Sequence, residues 1–141
     1  MGSVLSLVDQ FKLGVMRTFN MTDLGLLHYF AGPEITQSKE GVFVSQKKYT
    51  EDLINEFNMM QCKYAVTPKN INEKLKLNAD PEVIDTRRYK ILVGGLIYLM
   101  NTWLDIVYSV GFVSRFINEP ARHHFGTARR ILKYTTRTLD Y

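Results

Sequence analysis

The sequence predicts one α+β domain, mostly helical, with a small β-hairpin and five helices. Three observations lead to that class. The 141-residue chain is 45% hydrophobic and 23% charged, the size and balance of a single globular domain. Apolar residues recur at helical steps of 3 and 4 along most of the length, and strand formers gather only around one turn-rich stretch. A single cysteine, Cys62, excludes an internal disulfide and a Cys/His zinc module, and it fits a reducing compartment.

The first helix is expected over residues 4 to 19, where Val4, Val8, Phe11, Val15 and Phe19 fall on one face and Ser6-x-x-Asp9 offers a capping pair. Gly14 weakens it modestly. A hairpin follows, with strand formers from Leu26 to Ile35, turn residues Ser38-Lys39-Glu40-Gly41 and an answering Val42-Phe43-Val44. Pro33 lacks an amide donor and belongs at an edge or bulge. A second helix spans about Ser45 to Met59, with Tyr49, Leu53, Ile54 and Phe57 as its apolar face. Between Gln61 and Thr86 the periodicity fails, and Pro68, Asn70, Asn72, Asn78 and Pro81 mark a long connection. Three more helices are expected at about Asp85 to Thr102, Asp105 to Ile117 and Pro120 to Thr136, the last with proline at the favoured first position. Gly94-Gly95 inside the first of these lowers helix propensity, and a close helix–helix approach is the expected return.

The formal net charge of +4 is concentrated at one end. Residues 1–114 hold 12 Lys/Arg against 12 Asp/Glu, and residues 115–141 hold 6 against 2. From Arg122 the cations Arg129, Arg130, Lys133 and Arg137 follow at steps of 7, 1, 3 and 4, which keeps them on one broad helical face. Phe125, Ala128, Ile131 and Leu132 occupy the other side. A basic amphipathic helix attracts a phosphate backbone or an acidic partner, and it also serves as a plain solvated face. Arginine outnumbers lysine five to one in this segment, and its planar fork suits bidentate phosphate contacts.

Catalytic constellations are missing from the pattern. His28 stands alone in a strand pattern, where a half-buried structural residue is expected, and His123-His124 are neighbours that face different ways on a helix. No HExxH, Gly-rich phosphate loop or Gly-x-Ser-x-Gly elbow is present. No two aspartates are adjacent, whereas polynucleotide synthesis needs paired carboxylates to hold two divalent ions about 4 Å apart. Among the aromatics, Tyr29, Phe30, Tyr89 and Trp103 are expected to pack in the core. The most apolar stretch, ILVGGLIYLM at 91–100, is shorter than the roughly 18 residues of a membrane span and reads as a buried helix. The start lacks a secretory pattern, so an intracellular protein of cytoplasm or nucleus is expected. Met1-Gly2-Ser3-Val4-Leu5-Ser6 matches a loose myristoylation pattern, but one such chain anchors only marginally.

Four segments in order carry a resemblance: FNMTDLGLLHYF, VFVSQKKYTEDLINEFNM, LVGGLIYLMNTWLDIVYSVGFVSRFINEP and HHFGTARRILKYTTRTLDY. Together they resemble the C-terminal part of the reverse transcriptase of Ty1/copia-type retrotransposons, an RNA-directed DNA polymerase encoded within a Pol polyprotein. The resemblance covers about Ser3 to Tyr141. It implies that the catalytic YVDD strand lies just upstream of Met1 and that ribonuclease H follows Tyr141. It also implies a palm end and primer-grip-like hairpin in residues 1–46, and a thumb- and connection-like helical region in residues 47–141.

The family's HYFLGIE pattern stands here as His28-Tyr29-Phe30-Ala31-Gly32-Pro33-Glu34, so Tyr29, Phe30, Ala31, Gly32 and Pro33 become the primer-grip-like residues. Its T-R-P-D-I stands as Thr102-Trp103-Leu104-Asp105-Ile106, and Arg137 replaces a glycine. Gly2-Ser3 matches residues that follow YVDD. On this resemblance the chain has no catalytic residue of its own, and Mg2+ is expected only for the intact polymerase. The expected partner is nucleic acid, an RNA–DNA or DNA duplex backbone, met by Arg122, Arg129, Arg130, Lys133 and Arg137 with Lys47 and Lys48 as secondary contacts. Two other readings stay open: a retained interaction module that binds a protein partner or a second copy, and a non-functional retrotransposon relic.

Overall fold

A computed structural model describes residues 5–70 and 84–137. Elements appear in the order α1 (Leu5–Thr18), β1 (Glu34–Ser38), β2 (Gly41–Ser45), α2 (Lys47–Glu56), α3 (Thr86–Leu99), a 3-10 turn (Leu104–Ile106), α4 (Val107–Ser114) and α5 (Arg122–Thr136). Among the described residues this makes five helices and one two-stranded antiparallel sheet, the α+β, mostly helical class expected. The loop signals Asn72, Asn78 and Pro81 and the last four residues, Thr138, Leu139, Asp140 and Tyr141, lie outside the described residues, as do Met1, Gly2, Ser3 and Val4 of the acylation pattern.

The core is built by α2 to α5. Leu53 and Ile54 of α2 meet Leu92, Val93, Leu96 and Leu99 of α3, Ile106, Val110 and Val113 around α4, and Ala128, Ile131 and Leu132 of α5. The 3.6-residue period decides which side chains these are, because each helix turns one apolar stripe inward. Asp85 caps α3 by accepting the Arg88 amide at 3.1 Å. Gly95 supplies the close approach expected of the glycine pair: a Cβ there would lie 2.8 Å from both Leu53 methyls. Gly94 points outward with nothing within 4 Å of such a Cβ. Tyr89 is fully buried, its hydroxyl donates to the Val113 carbonyl at 2.7 Å, and burial pushes the phenol well above its usual range.

One buried amide ties the hairpin end to the core. Gln46, between β2 and α2, donates from Nε2 to the Tyr98 carbonyl at 3.2 Å, and its Oε1 accepts from the Thr102 hydroxyl at 2.6 Å. Of the T-R-P-D-I counterpart, Thr102 serves this joint and Asp105 and Ile106 serve the helical core and α5. Asp105 accepts a hydrogen bond from the Tyr134 hydroxyl, which raises that phenol's pKa, and Ile106 is fully buried.

Several sequence expectations are corrected. Ser6 and Asp9 lie inside α1, which already begins at Leu5, so they do not cap it. No residue of α1 is buried, although Val8 and Val15 are half-covered. The strand expected over Leu26 to Ile35 begins only at Glu34, because Gly25, Ala31 and Gly32 take positive φ (77°, 53° and 106°) and Pro33 has no amide to donate. The turn at 38–41 stands as expected, with Ser38 paired to Gly41 and Thr36 to Phe43. Tyr29 and Phe30 are 62% and 65% exposed instead of packed in the core, while Tyr89 is buried and Trp103 half-buried. His28 is exposed rather than half-buried. Pro120 precedes the N-cap Ala121 instead of opening α5, and a 3-10 turn introduces α4. A Lys12–Asp23 ion pair at 2.8 Å folds the segment after α1 back onto it; the hydrogen bond raises the lysine's pKa and lowers the aspartate's.

Candidate nucleic-acid interface

Helix α5 is amphipathic in the way its sequence requires. His124, Thr127, Ala128, Ile131, Leu132 and Thr135 face the core, which leaves the basic positions on the outer side. His124 has a local role the sequence did not reveal: its Nδ1 accepts the Ala121 amide at 2.8 Å, and its ring stacks on Phe116 at 3.9 Å. A titratable side chain three residues into the helix thus does the work of a cap. The signal available was its place in the first turn after Pro120-Ala121.

Beside the outer face of α5 runs an open groove of about 600 Å³. Arg129, Arg130, Lys133 and Gly126 form one side, and Lys63, Tyr64 and Asn70 the other. Among the described residues four lining side chains are cationic and none is acidic. Gly126 carries no side chain into the groove and has nothing within 4 Å of a Cβ position, so the space between the arginines stays open. A neighbouring cleft of about 340 Å³ shares Arg129 and Gly126 and adds Arg88, Arg122 and Asp85. The basic face therefore continues from Lys63 to Arg88.

The segment across from α5 is pinned to it. The Ala65 amide donates to the Lys133 carbonyl at 3.2 Å. Arg130 donates from Nε to the Thr67 carbonyl at 3.2 Å and from Nη2 to the Thr67 hydroxyl at 3.1 Å. The Arg137 guanidinium lies 5.9 Å from the centre of the Tyr64 ring. Arg130 is thus committed to the groove wall, whereas the side chains of Arg129 and Lys133 make no hydrogen bond or ion pair with the described residues.

The other expected contacts lie elsewhere. Lys47 and Lys48 are exposed in the first turn of α2. Lys48 lines a cleft of about 130 Å³ with Tyr29, Gly32, Glu34 and Asp52, which shares no residue with the α5 groove. The primer-grip-like residues form a tight reversal there: the Phe30 amide donates to the Pro33 carbonyl at 3.1 Å and the Ile35 amide to the His28 carbonyl at 2.7 Å. The Tyr98 hydroxyl of α3 reaches this turn and donates to the Ala31 carbonyl at 2.7 Å. A Cβ on Gly32 would lie 1.9 Å from that hydroxyl, so glycine is required both by the contact and by its φ of 106°.

Sequence reasoning missed Lys63, Tyr64 and Arg88. Lys63 and Tyr64 lie in a segment without periodicity, where the hint was an aromatic set between lysines at Lys63-Tyr64 and Lys69, and Arg88 lies in the first turn of α3, far from α5 in sequence. Among the described residues no group of three or more His, Cys, Asp or Glu could hold a metal ion. Among the same residues no helix is long and apolar enough to cross a membrane.

The model of the family described as "Reverse transcriptase (RNA-dependent DNA polymerase)" matches residues 1–71. An uncharacterized mitochondrial protein of Arabidopsis thaliana is 36% identical over 141 residues, covering 98% of this chain and 57% of its own length. The retrovirus-related Pol polyprotein from transposon RE1 of the same plant is 36% identical over 123 residues, 87% of this chain and 8% of that protein. A putative transposon Ty5-1 protein of Saccharomyces cerevisiae is 33% identical over 135 residues, 93% of this chain and 44% of its own length. The chain thus spans between 8% and 57% of the lengths of these relatives. No solved structure matches it. A family model over the first half and transposon relatives that continue through the basic helix lead to one assignment: the chain belongs to the reverse transcriptase (RNA-dependent DNA polymerase) family, in its Ty1/copia retrotransposon branch.

Proposed function

We propose that this chain is a nucleic-acid-holding part of a copia-type reverse transcriptase that grips the phosphate backbone of an RNA–DNA or DNA duplex and does not polymerise by itself. In this reading residues 1–46 act as a palm end with a primer-grip-like turn, residues 47–141 act as thumb and connection, and Mg2+ belongs to the intact polymerase. The observation that carries the proposal is the groove in which Lys63, Arg129, Arg130 and Lys133 converge. Cations so placed release counterions when they meet phosphates, which supplies sequence-independent affinity and strong salt dependence.

Arg129 and Lys133 are the residues to test, because Arg130 also holds Thr67. The double variant Arg129→Ala/Lys133→Ala should weaken duplex binding uniformly across sequences and flatten the plot of log affinity against log salt by about two, roughly one for each lost contact. An unchanged slope in a variant that melts like the parent overturns the proposal.

A second reading has its own observation. Leu5, Leu24 and Phe11 are 83%, 93% and 71% exposed, together with other large apolar side chains of residues 5–45. Exposed apolar surface on this scale marks an interaction surface for a protein partner or a second copy. Light scattering that shows a monomer at every concentration, with no partner recovered, counts against it.

A further inference from the structure

We infer that Tyr64 is a stacking platform for an unpaired base, so that the groove beside α5 takes a single strand in addition to a duplex backbone, with phosphates along Arg129 and Lys133 and a base on the Tyr64 ring. The inference rests on the backbone-binding reading and adds the substrate class.

Tyr64 is 60% exposed and sits in the wall of the basic groove. A large aromatic left in solvent contributes little to folding, and the fold has nonetheless fixed its place. The Cys62 amide before it donates to the Met59 carbonyl at 3.1 Å, the Ala65 amide after it donates to Lys133, and Thr67 is held through two bonds from Arg130. Ala65 itself is buried, so the chain on either side of Tyr64 cannot drift from α5. The ring is therefore presented from a pinned segment, which lowers the ordering cost of a ligand that stacks on it. Arg137 near the same ring adds a cation that favours both the aromatic and a phosphate.

The chemistry selects the ligand. A cationic groove edged by an exposed aromatic is the arrangement that holds a single strand, because the backbone follows the charge and every base offers a π-face. A base inside a duplex already stacks on its neighbours and has no free face to give. The absence of side-chain bulk at Gly126 leaves room for a strand between Arg129 and Tyr64.

The test uses the full chain and three labelled oligonucleotides of equal charge: a single-stranded DNA, the same strand with abasic sites throughout, and a blunt DNA duplex, read by fluorescence anisotropy. The parent protein should bind the base-bearing strand about 5- to 150-fold more tightly than the abasic strand, the range for one stacked base. Tyr64→Ala should erase that difference and melt like the parent because the side chain is exposed. Tyr64→Phe should retain the difference, which guards against a structural effect of alanine. Equal binding of the base-bearing and abasic strands by the parent, or an unaltered preference in Tyr64→Ala, overturns the inference and leaves the backbone reading standing. If Arg129→Ala/Lys133→Ala changes binding to none of the three, the backbone reading falls and the stacking platform falls with it.

Discussion

Residues 5–45 and residues 46–137 spend their apolar side chains in opposite ways. In the first region α1 has an apolar stripe and no buried residue, and Val42, Phe43 and Val44 of the hairpin are exposed. In the second region the same kind of stripe on α2, α3 and α5 closes into one core with fully buried Leu92, Leu96, Leu99, Ile131 and Leu132. Periodicity makes a helix amphipathic, but only a facing surface makes the stripe a core. The comparison locates the buried core in α2 to α5 and the exposed apolar side chains in α1 and the hairpin.

The sharpest way to break this comparison is to truncate one leucine from each region. Leu96→Ala should cost about 2–5 kcal/mol by loss of contacts and creation of a cavity, whereas Leu7→Ala should stay within about 0.5 kcal/mol. Urea denaturation of both variants measures it, and equal effects would dissolve the distinction between the regions. The glycine pair gives the next largest contrast inside the core region. Gly95→Ala pushes a methyl against Leu53 and should cost about 1–3 kcal/mol, while Gly94→Ala meets nothing and should stabilise by up to about 1 kcal/mol. Thermal midpoints of the two variants should move in opposite directions.

The joint between the regions provides a smaller and more local effect. Tyr98→Phe removes the hydrogen bond to the Ala31 carbonyl and should weaken hairpin docking by about 0.5–1.5 kcal/mol. Hydrogen exchange should speed up at Phe30 and Ile35 and remain slow in α3 and α5. The pH response is gentlest within the usual working range. Tyr89 holds its proton more tightly when folded than its ordinary value of 10.0, because burial penalises the phenolate. The folded state therefore binds more protons at alkaline pH, so stability is unaffected below about 10 and declines as pH rises above it. Tyr89→Phe should lose this alkaline decline, measured as denaturation midpoint against pH, while losing the Val113 bond at every pH.

How much was legible depends on the range of the interactions. Helices α2, α3 and α5 were readable because Leu53 and Ile54, Leu92 and Leu96, and Ala128 and Leu132 encode a local period. The hairpin turn at Ser38–Gly41 was readable from its residues, but the first strand was overextended, since strand formers from Leu26 onward are overruled by Ala31 and Gly32 at positive φ and by Pro33. The basic side of α5 was visible as spacing. Its division of labour was not, because Thr67 is 63 residues from Arg130 in sequence and receives its hydrogen bonds only after folding.

The amino-acid sequence by itself determined the helical class, the inward stripes of the core helices, the clustering of cations after Arg115 and the resemblance to copia-type reverse transcriptases. Each is set by neighbours a few residues apart, where backbone geometry and period leave little freedom. Only the tertiary structure decided that Tyr64 and Lys63 face Arg129 and Lys133, that Tyr98 grips the turn at Gly32, and that the stripe of α1 stays uncovered. Those outcomes depend on which surfaces meet in space, and no local pattern records the far side of a contact.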